Sequence, residues 1–425
     1  MTENRRLVAD MRRYFDKIGL HSEPYLPTGP VTLSAELGND LDRASERLLR
    51  LLRRTVFEIS ENPRARHDDL GLDDRLVPLY QDPSLESACA TILARPDAIL
   101  TTDGWQFIEM NVSSAVGGTG YVHLLNEFWR DRISPDLRIR SPLRDRSAML
   151  AATATQFDKP KVMDLVGCTR DIKNDSWYYE LGVDDLRRAG FEAELIGIED
   201  YTDSLAGGHA PAPLVLHEFV AQDLLDAGRD LAPAVSLLDP GRIVVSPYSA
   251  EHVSNKRALA RLSTGPEWLE PADAEFVERY VPWTREVYDG PVLYKSRRRS
   301  LVDLVQAQRD RFVLKRSDGS QGNNVHFGSS TDATVWNVLV ENAVAAGTWV
   351  VQERVHSLGV PVEVADSDGG EASRIMAPSV FGPVLVGGVA SGCQVRYDTV
   401  GLPGAEVLTR SVPSVLLNCA VWPAR

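Results

Sequence analysis

A mixed α/β (α+β) fold with several sheets is what this 425-residue chain predicts, on three observations. Apolar residues return at helical spacing near the start, the middle alternates strand-like and helix-like stretches, and the last third carries short apolar runs broken by glycine. With 43% apolar and 25% charged residues, the composition is that of an ordinary globular chain. The length divides into roughly two to three domains.

From Leu37 to Val56, LGNDLDRASERLLRLLRRTV places leucines and valines on one face of a helix among Arg and Glu, so residues 1–92 read as a mostly helical N-terminal region. A break falls near Asn62-Pro63. Next come two strand-like runs, Asp97 to Leu100 and Trp105 to Val112, joined by Thr-Thr-Asp-Gly. Asp-Gly between apolar runs is a hairpin signal. From about 159 to 253 the order PKVMDLVGC, DDLRRAG, FEAELIGI, PLVLHEFV, RIVVSP predicts a small parallel α/β unit. From 254 onward VLYK, RFVLKRS, NVHFG and TWVVQERV alternate with helical segments, and SVFGPVLVGGVASGCQVRYD reads as strands interrupted by glycines. The expected divisions are 1–92, 93–150, 151–253 and 254–425.

A formal net charge of -14 argues against a general nucleic-acid binder, and Arg53-Arg54 and Arg297-Arg298-Arg299 read as solvated faces. The start has no apolar signal-peptide core, and no stretch approaches the ~20 apolar residues of a membrane span. A cytoplasmic chain with no membrane partner is the expectation. The four cysteines, Cys89, Cys168, Cys393 and Cys419, follow no metal-ligand spacing and read as buried thiols.

The chemistry-bearing residues fall in two groups. Glu109 and Asn111 share a strand face, and a hairpin centred on Asp103-Gly104 sets Asp97 across from them, with Arg95 on Asp97's side. Two carboxylates and an amide oxygen suit hard Mg²⁺ ions whose other ligands are phosphate oxygens and water, although a polar exposed hairpin face would read the same way. Ser113 and Ser114 follow, in a small, flexible stretch where a substrate would approach. In the last third, Lys315 ends a strand before the loop Gly319-Ser320-Gln321-Gly322-Asn323, which could fold over a triphosphate. It is not a Walker A loop, since Gly-Lys-Ser/Thr is missing and no helix follows. Ser254-Asn255-Lys256 opens a helix with a capping residue before a lysine. The strand at Gln352-Glu353, running to Val355, turns abruptly polar, as suits an adenine edge.

Taken together, Arg95-Pro96-Asp97, Glu109-Met110-Asn111, Ser254-Asn255-Lys256, Val313-Leu314-Lys315 with Gly319 to Asn323, and Val351-Gln352-Glu353 resemble the ATP-grasp superfamily. The order resembles its circularly permuted branch, which includes the synthetase part of glutathionylspermidine synthase. Val281-Pro282-Trp283-Thr284-Arg285 is similar to a segment between the lysines in that branch. The resemblance implies an ATP-grasp ligase with permuted motif order, in which 93–150 is the metal-binding part, 151–253 a pre-ATP-grasp-like domain and 254–425 the ATP-binding part. It implies ATP with two Mg²⁺ ions held by Asp97, Glu109 and Asn111, and catalytic roles for Arg95, Lys256 and Lys315. Nucleotide contacts are implied at Lys256, Lys315, Gly319 to Asn323, Gln352, Glu353 and Val355.

Ser113, Ser114 and Arg396 are the candidate substrate contacts. The implied reaction joins a small carboxylic acid to an amine through an acyl phosphate, releasing ADP and phosphate. Loading the acid onto a carrier-protein thiol, or nucleotide binding without turnover, are the alternatives; a dinucleotide-dependent oxidoreductase is disfavoured because no G-x-G-x-x-G follows a strand. The oligomeric state stays open, a homodimer being allowed. Two departures bear on the substrate: Val112-Ser113-Ser114 replaces a more acidic stretch, and Arg316 stands where proline is frequent. His123 and Glu127, four apart on one helix, are weaker candidates, and His217 reads as the end of a strand.

Overall fold

The computed structural model describes residues 3–17, 25–113, 115–319, 324–366, 372–399 and 415–423. It is a mixed α/β molecule with several sheets. Helix Ala35–Phe57 starts at Ser34, whose Oγ accepts from the Leu37 N-H at 3.2 Å, and it buries Leu41, Leu48, Leu52 and Val56. That stripe packs on the two strands Ser379–Val386 and Val389–Asp398.

The hairpin forms from strands Leu93–Thr101 and Gly104–Val112, with Thr101 paired to Gly104. The turn is therefore Thr102-Asp103, one residue earlier than the sequence reading places it, and Gly104 takes φ 106°, where a side chain would be strained. Continued evenly, this register would set Asp97 against Ile108. A register shift between Asp97 and Ala98 sets Ile108 aside, so that Asp97 pairs with Glu109 and Arg95 with Asn111. One extra residue in a two-residue repeat inverts which face a side chain takes. The bulge thus carries Glu109 and Asn111 to the side of Arg95 and Asp97.

This hairpin is the edge of a six-stranded sheet. From one edge its strands run Val31–Thr32, Val415–Val421, Val389–Asp398, Ser379–Val386, Leu93–Thr101, Gly104–Val112. Every neighbour pair is antiparallel except the first, which is parallel. Gly387 and Gly388, both at positive φ, make the tight turn between the two late strands. All of Ser379–Val386 is buried, and helices Ala35–Phe57 and Pro142–Gln156 both pack on it.

Two further sheets frame the site. Val162–Gly167, Glu192–Gly197, Leu214–Glu218 and Ile243–Val245 form a parallel sheet in which Val162–Gly167 lies between the second and third. A four-stranded antiparallel sheet is ordered Val325–Phe327, Phe312–Arg316, Trp349–Glu353, Thr284–Glu286. Trp336 of helix Ala333–Ala346 packs with Leu314 and Val351 in the core of that sheet. Among the described residues, no helix is long and apolar enough to cross a membrane.

Gly38 lies in helix Ala35–Phe57 against Trp422, and a Cβ there would sit 2.3 Å from the indole ring. Helix propensity alone favours alanine over glycine by about 1 kcal/mol, but overpacking costs about 1–3 kcal/mol. Gly38→Ala is therefore expected to lower stability in urea unfolding; a gain would show that Trp422 moves aside freely.

Candidate active site

On the cavity side of the bulged hairpin, three charged groups converge. Arg396, on Val389–Asp398, reaches over the intervening strand to place Nη2 2.5 Å from Asp97 Oδ2, although the two residues are 299 apart in the chain. Gly382 lies in that gap, where a Cβ would come within 2.8 Å of the Arg95 side chain. Arg95 Nε stands 3.6 Å from Asp97 Oδ1, and its Nη1 donates to Gly117 O and, at 3.1 Å, to Gln394 Oε1. Burial opposes ionisation of Asp97, but Arg396 and Arg95 outweigh it and hold the carboxyl below its ordinary range. Asn111 Nδ2 donates to the Arg95 carbonyl at 3.1 Å, which fixes the amide's orientation.

Two lysines meet this face from the other side. Ser254 Oγ accepts from the Val112 N-H at 2.5 Å and donates to the Val112 carbonyl at 3.0 Å, locking helix Glu251–Ser254 to the end of the hairpin. Asn255 then caps the next helix, Lys256–Leu262, through the Arg257 N-H. The cap points Lys256 back at the hairpin, with Nζ 3.1 Å from Glu109 Oε1 and 2.6 Å from Gly319 O. Lys315 Nζ donates to Gln352 Oε1 at 2.8 Å and to the carbonyl of bulged Ile108 at 3.2 Å. Burial, partly offset by Glu109, lowers the Lys315 pKa from 10.5 to about 8.

These groups line one cavity of about 820 Å³. Arg95, Asp97, Glu109, Asn111, Ser113, Lys256, Lys315, Gly319, Gln352, Glu353, Val355 and Arg396 all contribute to its wall. Ser114 and residues 320–323, which hold Ser320, Gln321, Gly322 and Asn323, lie outside the described residues. Gln352 is buried, its Nε2 donating to Thr284 Oγ1 at 3.0 Å. The Glu353 carboxylate is taken up by Arg311 at 2.8 Å and Tyr294 at 3.0 Å, while its N-H donates to the Trp283 carbonyl. His123 and Glu127 are elsewhere: His123 Nδ1 meets Ser141 Oγ at 2.7 Å, and Glu127 pairs with Arg130 at 2.6 Å. His217, the stacking partner of Tyr248, is held by the carbonyls of Phe219 and Ser246 inside the core.

Two parts of the cavity wall were not reached from sequence. Gln394 sits two residues before Arg396 on the same strand face, and that spacing was available as a signal. A buried chain runs from His252 through Tyr80 to His67. Arg66 Nε, which can only donate, lies 3.4 Å from His252 Nδ1, so neutral His252 carries its proton on Nε2 and gives it to the Tyr80 hydroxyl at 2.9 Å. Tyr80 in turn donates to His67 Nδ1 at 2.7 Å, leaving His67 Nε2 as the N-H facing Asp74 at 3.5 Å. Burial, then Arg66, pushes the His252 pKa well below the ordinary histidine value, in keeping with that neutral form. No local sequence pattern marks this chain.

No family model matches the sequence, and no curated protein matches it. Among solved structures, the chain is similar to a glutathione synthetase-like effector from Globodera pallida in its apo form, with a TM-score of 0.60 at 10% identity, over 98% of this chain and 96% of that one. The likeness is one of fold. A structure from Methylobacillus flagellatus KT, provisionally named a gamma-glutamylcysteine synthetase, aligns with a TM-score of 0.44 at 14% identity, over 92% of this chain and 89% of that one.

Two expectations follow from the charges. Asp97→Asn leaves Arg95 and Arg396 sharing a buried face without their anion, so unfolding free energy should drop by about 3–5 kcal/mol in urea titration. A change below 1 kcal/mol, the order of a surface pair, would mean that solvent already screens these charges. For Lys315, the folded chain binds fewer protons than the unfolded chain between about pH 8 and 10.5, so this group makes folding more favourable as pH rises through that window. Lys315→Met should remove that component, at most about 1.4 kcal/mol per pH unit, from stability curves measured across it. Parallel curves for variant and wild type would refute the depressed lysine.

Proposed function

We propose that this chain is an ATP-dependent ligase of the ATP-grasp kind with circularly permuted motif order, which activates a small carboxylic acid as an acyl phosphate and joins it to an amine. One observation carries the reading: both lysine ammonium groups already touch the acidic hairpin, Lys256 at Glu109 and Lys315 at the Ile108 carbonyl. A row of oxygen ligands and a pair of cations therefore meet in the wall of one cavity wide enough for a nucleotide. The fold's similarity to a glutathione synthetase-like effector agrees with an amide-forming ligase.

The acidic row fits Mg²⁺. Asp97 Oδ1 is buried with no hydrogen-bond partner, and Asp97, Glu109 and Asn111 offer only hard oxygen ligands once Lys256 lets go of Glu109. Asp97, Glu109 and Asn111 would hold the metal, which would supply charge neutralisation on the β- and γ-phosphates.

The chain's own groups account for the rest. Lys256 and Lys315 neutralise phosphate oxygens, and the depressed Lys315 becomes fully charged as a polyanion arrives. Arg95 and Arg396, freed from Asp97 in part, stabilise the transferring phosphoryl group and hold the substrate carboxylate in line. Gly319, whose carbonyl accepts from Lys256, anchors the root of the glycine loop beside the lysine. The neutral amine then attacks the carbonyl carbon: the C-N bond forms, the C-O bond to phosphate breaks with its electron pair leaving on the phosphate oxygen, and the nitrogen's proton passes to solvent.

Glu109→Gln is expected to lower ADP formation with Mg²⁺ by about 10²-fold or more while the variant still melts cooperatively as a folded protein, assayed against a screen of amino acids, polyamines and dipeptides. Hydroxylamine added with the active acid should trap a hydroxamate in wild type. Normal turnover by folded Glu109→Gln, or ADP without hydroxamate, would defeat the mechanism.

A further inference from the structure

Strands Pro291–Tyr294 and Arg297–Ser300 pair as a two-stranded hairpin. Its tip and second strand carry Lys295, Arg297, Arg298 and Arg299, all exposed, four cations within five consecutive residues of a chain whose net charge is -14. No side-chain hydrogen bond or ion pair of Arg297, Arg298 or Arg299 is found among the described residues. Lys295 Nζ stands 3.6 Å from Glu353 Oε1, an oxygen that Arg311 holds more closely at 2.8 Å.

The inner face of the hairpin is fixed. Val292 and Tyr294 are buried, and the Tyr294 ring lies 5.1 Å from that of Trp283 and 5.8 Å from that of Phe312 between centroids. Trp283 Nε1 donates to the Leu293 carbonyl at 3.1 Å. Lys295 and Ser296, the turn residues, take φ 46° and 62°, where glycine or asparagine is usual. The packed strands beneath hold that strained turn and, with it, the direction of the tip.

The outer face mixes charge with apolar surface. Leu293 pairs across the hairpin with Arg298, so the two side chains share a face, and Leu293 is 62% exposed. Tyr288, just before the hairpin, is 43% exposed. Cations on an edge strand guard it against pairing, but a guard gains nothing from an uncovered leucine in its midst. Arginines and a tyrosine around an exposed apolar residue have the composition of a protein interface. The occupant follows from charge and extent. Guanidinium groups take carboxylates in paired hydrogen bonds, and an acidic segment short enough to stay on the hairpin meets its cations alone. Nucleic acid or an anionic membrane extends past the hairpin into the field of an acidic chain.

We propose that this hairpin is a docking surface for an acidic segment of a partner protein, with Leu293 and Tyr288 covering its apolar residue and Lys295, Arg297, Arg298 and Arg299 taking its carboxylates. Glu353, beside Lys295, lines the large cavity, so the docked partner lies next to that site. The surface does not depend on the ligase reading.

Fluorescence anisotropy of a labelled peptide of repeated Glu-Glu-Glu-Leu, titrated with the full chain, tests this. The peptide is expected to bind more tightly than a glutamate-only peptide of equal length, and to weaken about tenfold or more between about 50 mM and about 500 mM salt. Changing Arg297→Gln, Arg298→Gln and Arg299→Gln together should weaken binding about tenfold or more, and Leu293→Ser should abolish the preference for leucine. Arg43→Gln with Arg50→Gln removes two exposed cations of helix Ala35–Phe57 and should leave binding within about twofold of wild type. Melting curves check that each variant is folded. No peptide binding, unchanged binding in the folded triple variant, or an equal loss in the Arg43 and Arg50 variant would overturn the surface. Tighter binding of oligouridine or of phosphatidylserine vesicles, lost in the triple variant, would overturn the acidic protein as its occupant.

Discussion

The register shift at Ile108 is the constraint on which the site turns. A regular hairpin from the Thr102-Asp103 turn would oppose Asp97 to an isoleucine and point Glu109 into the packed side of the sheet. The extra residue restores the alternation, so that Arg95, Asp97, Glu109 and Asn111 share one face. It also leaves Ile108 out of the paired register, and the carbonyl of that residue is the one that receives Lys315. A single unpaired position thus sets the acidic row and docks the strand bearing the lysine.

Around that bulge the charges are arranged in mutually satisfying pairs. Asp97 is held by two arginines, Glu109 by Lys256, and Lys315 by neutral oxygens of Gln352 and Ile108. Pairs of this kind add little net stability, because desolvation consumes most of the attraction. In the proposed ligase, Arg95, Arg396 and Lys256 would exchange their carboxylates for phosphate or substrate oxygens, and Asp97 and Glu109 would exchange their cations for a metal. Lys315 stands apart, since it has burial without a directly bonded carboxylate, and its lowered pKa records that imbalance.

Some of this was legible in the chain. Asp103-Gly104 between apolar runs marked a hairpin, and period-two spacing grouped Arg95 with Asp97 and Glu109 with Asn111, because strand geometry is local and repeats every second residue. The small parallel sheet followed from its strand-helix rhythm, and the cap at Asn255 from residue type. The bulge was not legible. Nothing in Gln106-Phe107-Ile108-Glu109 distinguishes an even ladder from a shifted one, and the shift shows only in the paired strands. Nor was the His67, Tyr80, His252 chain, whose members belong to three separate helical or turn segments brought together by packing.

By itself the sequence determined which residues share a strand face, where helices begin, and which side chains carry charge, since these depend on neighbours a few positions away. The tertiary structure alone decided that Arg396 meets Asp97 and that Ser254 ties a later helix to the hairpin's end. Those outcomes depend on sheet order and on which segments are excluded from water together, and short-range spacing carries no record of either.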